Sequence, residues 1–412
     1  MAKVATNAMV NGAKQLAQGE SPTVKNLVLQ PHNIRLLADK LAQMRGAAMK
    51  LGQLLSMDAG DLLPPELSQL LEKLRADAKP MPHKQLITVL KAQWGDNWLD
   101  NFSYFELQPF ASASIGQVHL AHLETGEKLA VKVQYPGVAT AIASDVDNVA
   151  ALLKLSGLLP KHLQIDDLIS EAKKQLLVEA SYQAEASFMN RYTKLINNDG
   201  FCLPTVVKPL SNDAILTMNF IDGMPIENLR MAPQATRNKV VEQLIALFFR
   251  ELFDFKLMQT DPNFANFLYQ EEAQKIVLLD FGATRAIPGH ISTGYLALIN
   301  AAMCEDEQQM IASAKQLGFF TKDISDDYLA QILAIFKLAS EPLVANDYDF
   351  ATSNLAQRIK NQGMNIQRQK DQWHTPPVDA IFIHRKLAGI YLLATKLAAK
   401  VNVKALFIPH LE

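Results

Sequence analysis

Met258 to Gly282 reads MQTDPNFANFLYQEEAQKIVLLDFG, and this stretch decides how the rest of the chain is read. Asp261 and Asn266 stand five positions apart, and an apolar run, Ile276 to Leu279, then delivers Asp280-Phe281-Gly282. Either half alone is a weak signal, because D-x-x-x-x-N arises by chance and a strand ending in D-F-G is compatible with a plain turn. The order carries the weight: acid, amide, strand, second carboxylate. In that order one carboxylate faces an attacking group, while the amide and the second carboxylate hold magnesium against phosphates. Magnesium takes oxygen ligands, which Asn and Asp side chains supply.

Working upstream, Phe105 to His119 alternates like a strand and is interrupted by a small-residue turn at Ala111–Gly116. Glu124-Thr125-Gly126-Glu127 is a hairpin signal, and Leu129 to Tyr135 is the strand after it, with Lys132 inside. Strand, small-residue turn, strand, hairpin and a strand with an inward lysine is how the smaller lobe of a kinase-like fold begins. Lys132 alone reads as a surface lysine on an edge strand. Placed after this turn and before D-F-G, it reads as a phosphate contact. Asp166 to Tyr192 is expected as one long helix carrying Glu171, Glu179 and Glu185, one of which pairs with Lys132. Ile215 to Phe220 is a strand, and Ile221 to Pro225 is the hinge where backbone groups meet adenine, with Met218 and Phe220 among the nucleotide contacts. Residues 234–259 form a largely apolar helix into the Asp261 loop. From Pro288 the chain reads as helical, with a loop near Gly363–Pro377.

The 412 residues are 49% apolar, enough for a large core, and 40 basic against 42 acidic side chains exclude a general nucleic-acid binder. Cys202 and Cys304 form no metal-spaced pair, and a reducing compartment is the default. The first twenty residues lack the apolar core of a signal peptide. The two most apolar windows, Val240–Phe255 and Ala380–Ala399, are broken by Glu242, Arg250 and Glu251 and by His384, Arg385 and Lys386. A cytoplasmic protein is expected, at most peripheral at the inner membrane. Residues 1–57 hold seven Lys/Arg against Glu20 and Asp39, which reads first as a solvated helical face and second as contact with anionic lipid or a partner. Within them Ile34, Leu37, Leu41, Met44, Ala48, Leu51 and Leu55 make one apolar stripe, with Lys50 and Gln53 sharing a face beside it. A short helix is expected from Pro65 through Leu74, and another from about His83 to Trp94.

Several motifs together resemble the ABC1/ADCK/UbiB (Coq8-like) family of atypical kinase-like proteins. They are K-x-G-Q at Lys50–Gln53, an alanine-rich loop at Ala111-Ser112-Ala113-Ser114 followed by Ile115-Gly116-Gln117, Q-T-D-P-N-x-x-N at Gln259–Asn266, and D-F-G at 280–282. The resemblance implies an α+β, helix-rich, two-lobed protein-kinase-like fold with an α-helical N-terminal extension. It divides the chain into residues 1–100 (extension), 101–222 (smaller lobe with a helical insertion) and 223–412 (helical lobe with catalytic loop and D-F-G). It implies ATP or ADP and Mg2+ as cofactors, with Ala111, Ser112, Ala113, Ser114 and Gly116 along the nucleotide. Lys132 resembles the phosphate-contacting lysine and Glu179 its partner, Asp261 the catalytic aspartate, and Asn266 and Asp280 the metal ligands. Lys50 and Gln53 belong to a regulatory extension that folds over the active site. Where the family has E-x-D, this chain has Glu179-Ala180-Ser181, so the second carboxylate is absent.

The positions of His and Arg in the kinase H-R-D are Gln259 and Thr260, and no A-P-E follows D-F-G. The missing A-P-E and the Lys50–Gln53 extension disfavour an ordinary protein kinase. An ATPase or small-molecule or lipid kinase supporting ubiquinone biosynthesis is expected, with nucleotide, lipid surfaces and quinone-pathway enzymes as partners. The alternative is a nucleotide-binding pseudokinase that scaffolds such enzymes, which Ser181 and the missing H-R-D residues favour. Trp94, Trp98 and Trp373 read as packing anchors. His119, His384 and His410 show no metal spacing, and Arg385 and Lys386 are expected to cap or pair internally.

Overall fold

The computed structural model describes residues 80–113, 115–155, 165–197, 200–320, 324–367 and 376–412. The expectations for Lys50, Gln53, Ser114, Trp373 and the helices before residue 80 lie outside the described residues. Two compact units emerge, one holding residues up to Tyr182 with Lys208–Thr217, the other holding Gln183–Val207 and Met218–Glu412.

The first unit opens with α1 (His83–Trp94), whose Leu86 and Leu90 lie one turn apart and are both fully buried. Trp94 and Trp98 then join Phe102 and Phe105 in a ring cluster with centroids 5.1–5.4 Å apart, the packing role expected of them. Strands β1 (Tyr104–Phe105), β2 (Ala111–Ala113), β3 (Gly116–His122) and β4 (Lys128–Gln134) follow, and β3 and β4 pair antiparallel over seven residues with Val118 opposite Lys132. The hairpin closes as its sequence requires: Leu123 N–H donates to Glu127 O, and Gly126 takes φ +84°. The helices α2 (Val138–Leu155) and α3 (Ile165–Glu179) come next.

The second unit takes up the chain in α4 (Tyr182–Ile196) and β5 (Phe201–Cys202). The first unit's sheet is completed by Ile215–Thr217 of β6 (Ile215–Asn219), the edge strand beside β4, in the order β1-β3-β4-β6 with β2 on β3. β7 (Met224–Pro225), β9 (Phe267–Gln270) and β10 (Lys275–Leu278) join β5 in a four-stranded sheet. Helix α5 (Gln234–Phe249) runs into a π-helical turn, Arg250–Phe255, and Lys256 in the left-handed conformation starts β8 (Leu257–Gln259). β11 (Thr284–Ala286) pairs with β8. Then come α6 (Gly289–Met303), α7 (Glu307–Leu317), α8 (Asp326–Val344), the short β12 (Tyr348–Asp349), α9 (Leu355–Gln367), α10 (Val378–Lys396), β13 (Lys400–Val401) and α11 (Val403–Phe407). α10 is buried nearly all round, from Ala380 to Leu393, which makes it a core helix. Among the described residues no helix is long and apolar enough to cross a membrane.

Four local expectations change. Ala111–Ala113 is a strand paired with β3, not a turn. The helix expected over Asp166–Tyr192 is two helices, because the Gln134 side-chain amide of β4 donates to Ala180 O, and Ser181 N–H reaches back only three residues to Val178 O. The helix expected over 234–259 ends at Phe249, since the π turn and the left-handed Lys256 redirect the chain into β8. Helix α9 continues past Gly363 to Gln367.

Candidate active site

The catalytic stretch is bracketed on both sides by main-chain hydrogen bonds. β8 and β11 place Gln259 opposite Thr284, so the residues before Asp261 and those after Gly282 are two strands of one ribbon. Thr260 ties the ribbon's end twice to Ala283 O, through its N–H at 3.1 Å and its hydroxyl at 2.7 Å. At the other end Leu279 N–H donates to Asn266 O at 3.0 Å. Between these clamps Asn263 caps the single 3-10 turn Phe264–Asn266 by accepting from Ala265 N–H. The loop's shape follows from those bonds.

Asp261 is held by its side chain as well. Arg385 of α10 donates from Nη2 to Oδ1 at 3.1 Å, and Asn266 donates from Nδ2 to Oδ2 at 3.4 Å. The Arg385 side chain is 3% exposed and that of Asp261 18%, so this pair is shielded from bulk water, where such pairs gain little. An Asn that donates through Nδ2 keeps its carbonyl oxygen as a ligand atom. Asp280 accepts Gly282 N–H on Oδ1 at 3.0 Å, which orients its carboxylate. Asn266 and Asp280 line the same small pocket, together with Gln259, Phe281, Glu251 and Lys386. Phe281 is fully buried, its ring 4.9 Å from that of Tyr192. Of the three residues singled out in the sequence, Asn266 thus bonds Asp261 and shares a pocket with Asp280 within the second unit.

Two features there escaped the sequence. Arg385 was expected to cap or pair internally; it pairs with the Asp261 carboxylate, 124 residues earlier. Gly389, one turn on, is packed so closely that a Cβ there would lie 2.3 Å from Pro262 Cβ, inside any tolerable contact. The one available signal was the run of three ionisable residues, His384-Arg385-Lys386, inside an apolar helix.

Lys132 sits in the first unit on β4, 7% exposed, with Nζ 5.3 Å from the centre of the Tyr182 ring. Tyr182 Oη also covers Gly116: a Cβ on Gly116 would meet that oxygen at 2.8 Å and Val133 O at 2.3 Å. Tyr182, next to the departure at Ser181, thus lies against both Lys132 and Gly116, which the motif did not mark. Glu179, the last residue of α3, is buried, and Gln134 ties the adjoining Ala180 to Lys132's own strand. In the second unit the expected nucleotide contact Met218 is buried and bridges to Val206, while Phe220 is half-buried. Ala111 and Ser112 are exposed on β2.

His119 is structural, in keeping with its lack of metal spacing. Its Nδ1 donates to Glu106 O at 2.9 Å and its Nε2 accepts from the Gln117 amide at 2.8 Å, while burial pushes its pKa down. Among the described residues no cluster of three His, Cys, Asp or Glu could hold a metal. A magnesium-type site built from one Asn and one Asp, completed by water and phosphate, does not need one.

An ABC1 atypical kinase-like domain model matches residues 73–314. The chain is 37% identical to the atypical kinase COQ8, mitochondrial, of Saccharomyces cerevisiae over 98% of its own length and 81% of that protein. It is likewise 37% identical to the atypical kinase COQ8B, mitochondrial, of Rattus norvegicus over 99% of its length and 76% of that protein. Among solved structures, Rv3197 of Mycobacterium tuberculosis, determined as a complex with erythromycin, superposes with a TM-score of 0.61 at 24% identity, covering 90% of this chain and 93% of that one. The kinase-like fold expected from the motifs is therefore the fold this chain adopts, and the chain belongs to the ABC1 atypical kinase-like family.

Proposed function

We propose that this protein binds ATP or ADP with Mg2+ and acts as an ATPase or as a kinase for a small molecule or lipid, in support of ubiquinone biosynthesis. The observation that carries the reading is the second-unit constellation: Asp261 fixed by Arg385 and Asn266, with Asn266 and Asp280 on one pocket. Asn266 Oδ1 and the Asp280 carboxylate would hold the metal, which when bound neutralises phosphate charge. Asp261, with both oxygens already oriented, positions the attacking oxygen of water or of a small hydroxyl and takes up its proton through a remaining lone pair. Lys132 supplies a cation to phosphate, and Glu179 steadies it. The missing A-P-E and the Gln259-Thr260 that replace His-Arg argue against a protein substrate in trans. The family resemblance supplies the quinone setting, with nucleotide, lipid surfaces and quinone-pathway enzymes as partners and a peripheral place at the inner membrane.

The scaffold reading is favoured by Ser181, where the family's second acid is absent, and by Gln259-Thr260 in place of the kinase His-Arg. Thermal unfolding with ATP or ADP, with and without magnesium, together with phosphate release, separates the two, because a ligand that binds only the folded state raises the melting temperature. Magnesium-dependent stabilisation is expected. Phosphate release is expected to fall about 100-fold or more in Asp280→Asn, the scale of losing one charge-stabilising group. Stabilisation without turnover selects the scaffold, and no stabilisation by any nucleotide overturns both.

A further inference from the structure

Glu251 is a buried charge that the catalytic reading leaves unused. It is fully buried, in the π-helical turn Arg250–Phe255 where α5 gives way to β8. Such turns are rare and concentrate at functional sites. Its Oε2 pairs with Lys386 Nζ, itself buried on α10. Its Oε1 accepts from Tyr192 Oη at 2.7 Å and from Gln259 N–H at 3.3 Å. Tyr192 Oη lies 3.1 Å from Leu257 O, so the same hydroxyl touches both ends of β8. Gln259 in turn donates from its side chain to Asp261 O at 2.9 Å. A continuous polar chain thus runs from α10 through Glu251 and the Gln259 main chain to the catalytic aspartate, and the pocket of Asn266 and Asp280 is walled by Glu251, Gln259 and Lys386.

The energetics ask for a reason. A buried ion pair is no more stabilising than an apolar pair of the same volume and is frequently less so. Burial raises the Glu251 pKa and lowers that of Lys386, each opposed by the other's charge, so both groups are held where water would serve them better. Packing alone is equally met by Leu and Met. What Leu and Met cannot supply is an acceptor for Gln259 N–H.

We propose that Glu251, oriented by Lys386 and Tyr192, is a positioning residue that sets the Gln259 main chain and through it the place of Asp261. The activity arm of the test rests on the ATPase or kinase reading above; the exchange arm does not. Two double variants of the full chain are compared: Glu251→Gln/Lys386→Met, which keeps an acceptor, and Glu251→Leu/Lys386→Met, which does not. Both remove the buried charges, so melting temperatures within a few degrees of each other are expected. Amide hydrogen exchange over 257–267 is expected to be faster in the Leu variant alone. Its kcat for phosphate release is expected at least about tenfold below that of the Gln variant at similar KM for ATP, since misplacing a reacting group by about 1 Å costs on the order of 100-fold. Equal exchange and equal kcat in the two folded proteins overturn the proposal. If the Leu variant does not fold, Tyr192→Phe takes its place, with faster exchange over 257–267 expected and unchanged exchange overturning it. A wild type that shows neither turnover nor nucleotide stabilisation sinks the ATPase or kinase reading, while the exchange comparison still decides Glu251.

Discussion

The Gly116–Gln134 hairpin carries the buried Lys132 and the Leu257–Gly282 stretch the half-buried Asp261 and Asp280, and the two are held by different means. In the hairpin the strand-to-strand main-chain pairing is local: Gly116 faces Gln134, Val118 faces Lys132, and Leu123 closes on Glu127. In the catalytic stretch the main chain is also paired locally, but the side chains that fix Asp261 and Gln259 come from Arg385 and from Glu251 with Lys386. The difference teaches that the Lys132 strand is set by β register, whereas Asp261 depends on one distant helix. Register follows from alternation and turn chemistry, and helix docking follows from which residues a core helix presents once the lobe has condensed.

That contrast can be broken by acid. His384 lies beside Arg385 on α10, stacked on Phe319 and 2.9 Å from Tyr295 Oη, and burial pushes its pKa down to about 4. The unfolded chain takes up a proton below the ordinary value near 6.5, while the folded one does not until about 4. Stability contributed by neutral His384 is therefore present above pH 6.5 and is lost as pH falls toward 4, by about 3 kcal/mol in all. Urea unfolding at pH 7.5 and 4.5 should show this loss in wild type and a clearly smaller one in His384→Gln. Equal losses would remove His384 from the account of α10.

The two close-packed glycines sharpen the contrast further. Ala at either Gly116 or Gly389 is overpacked, with an expected cost of about 1–3 kcal/mol each by urea unfolding. Their functional signatures should differ. Gly389→Ala pushes on Pro262, next to Asp261, and should lower kcat for phosphate release about tenfold. Gly116→Ala pushes on Val133 O and Tyr182 Oη beside Lys132 and should weaken nucleotide stabilisation more than kcat. The same signature from both would erase the distinction. The smallest effect calibrates a purely local term: Asp306 caps α7 by accepting Gln309 N–H at 3.0 Å, and Asp306→Ala should cost about 1 kcal/mol with phosphate release unchanged.

How much was legible follows from range. Ile276 to Leu279 read as a strand because its apolar run is continuous, and β10 spans Lys275–Leu278. α1 occupies the residues expected for it because its stripe and flanks are local. The split of Asp166–Tyr192 was hidden, since Gln134, 46 residues earlier, competes for Ala180 O. The strand at Ala111–Ala113 was hidden because small residues read as a turn until β3 offers them an edge. Lys132, Asp261, Asn266 and Asp280 could be named as candidates because motif order and spacing single them out. Tyr182, Arg385, Gly389 and Glu251 were not, because nothing within one turn or one strand of them says what they will touch.

By itself the sequence carried the family resemblance and the order of hairpin, Asp261 loop and Asp-Phe-Gly, all of which depend on residue type at short spacing. Tertiary structure alone decided that α10 braces Asp261 through Arg385, that Pro262 requires a glycine at position 389, and that Glu251 and Lys386 meet beneath the catalytic loop. Those contacts join residues separated by more than a hundred positions, and no periodicity of a helix or strand reaches that far.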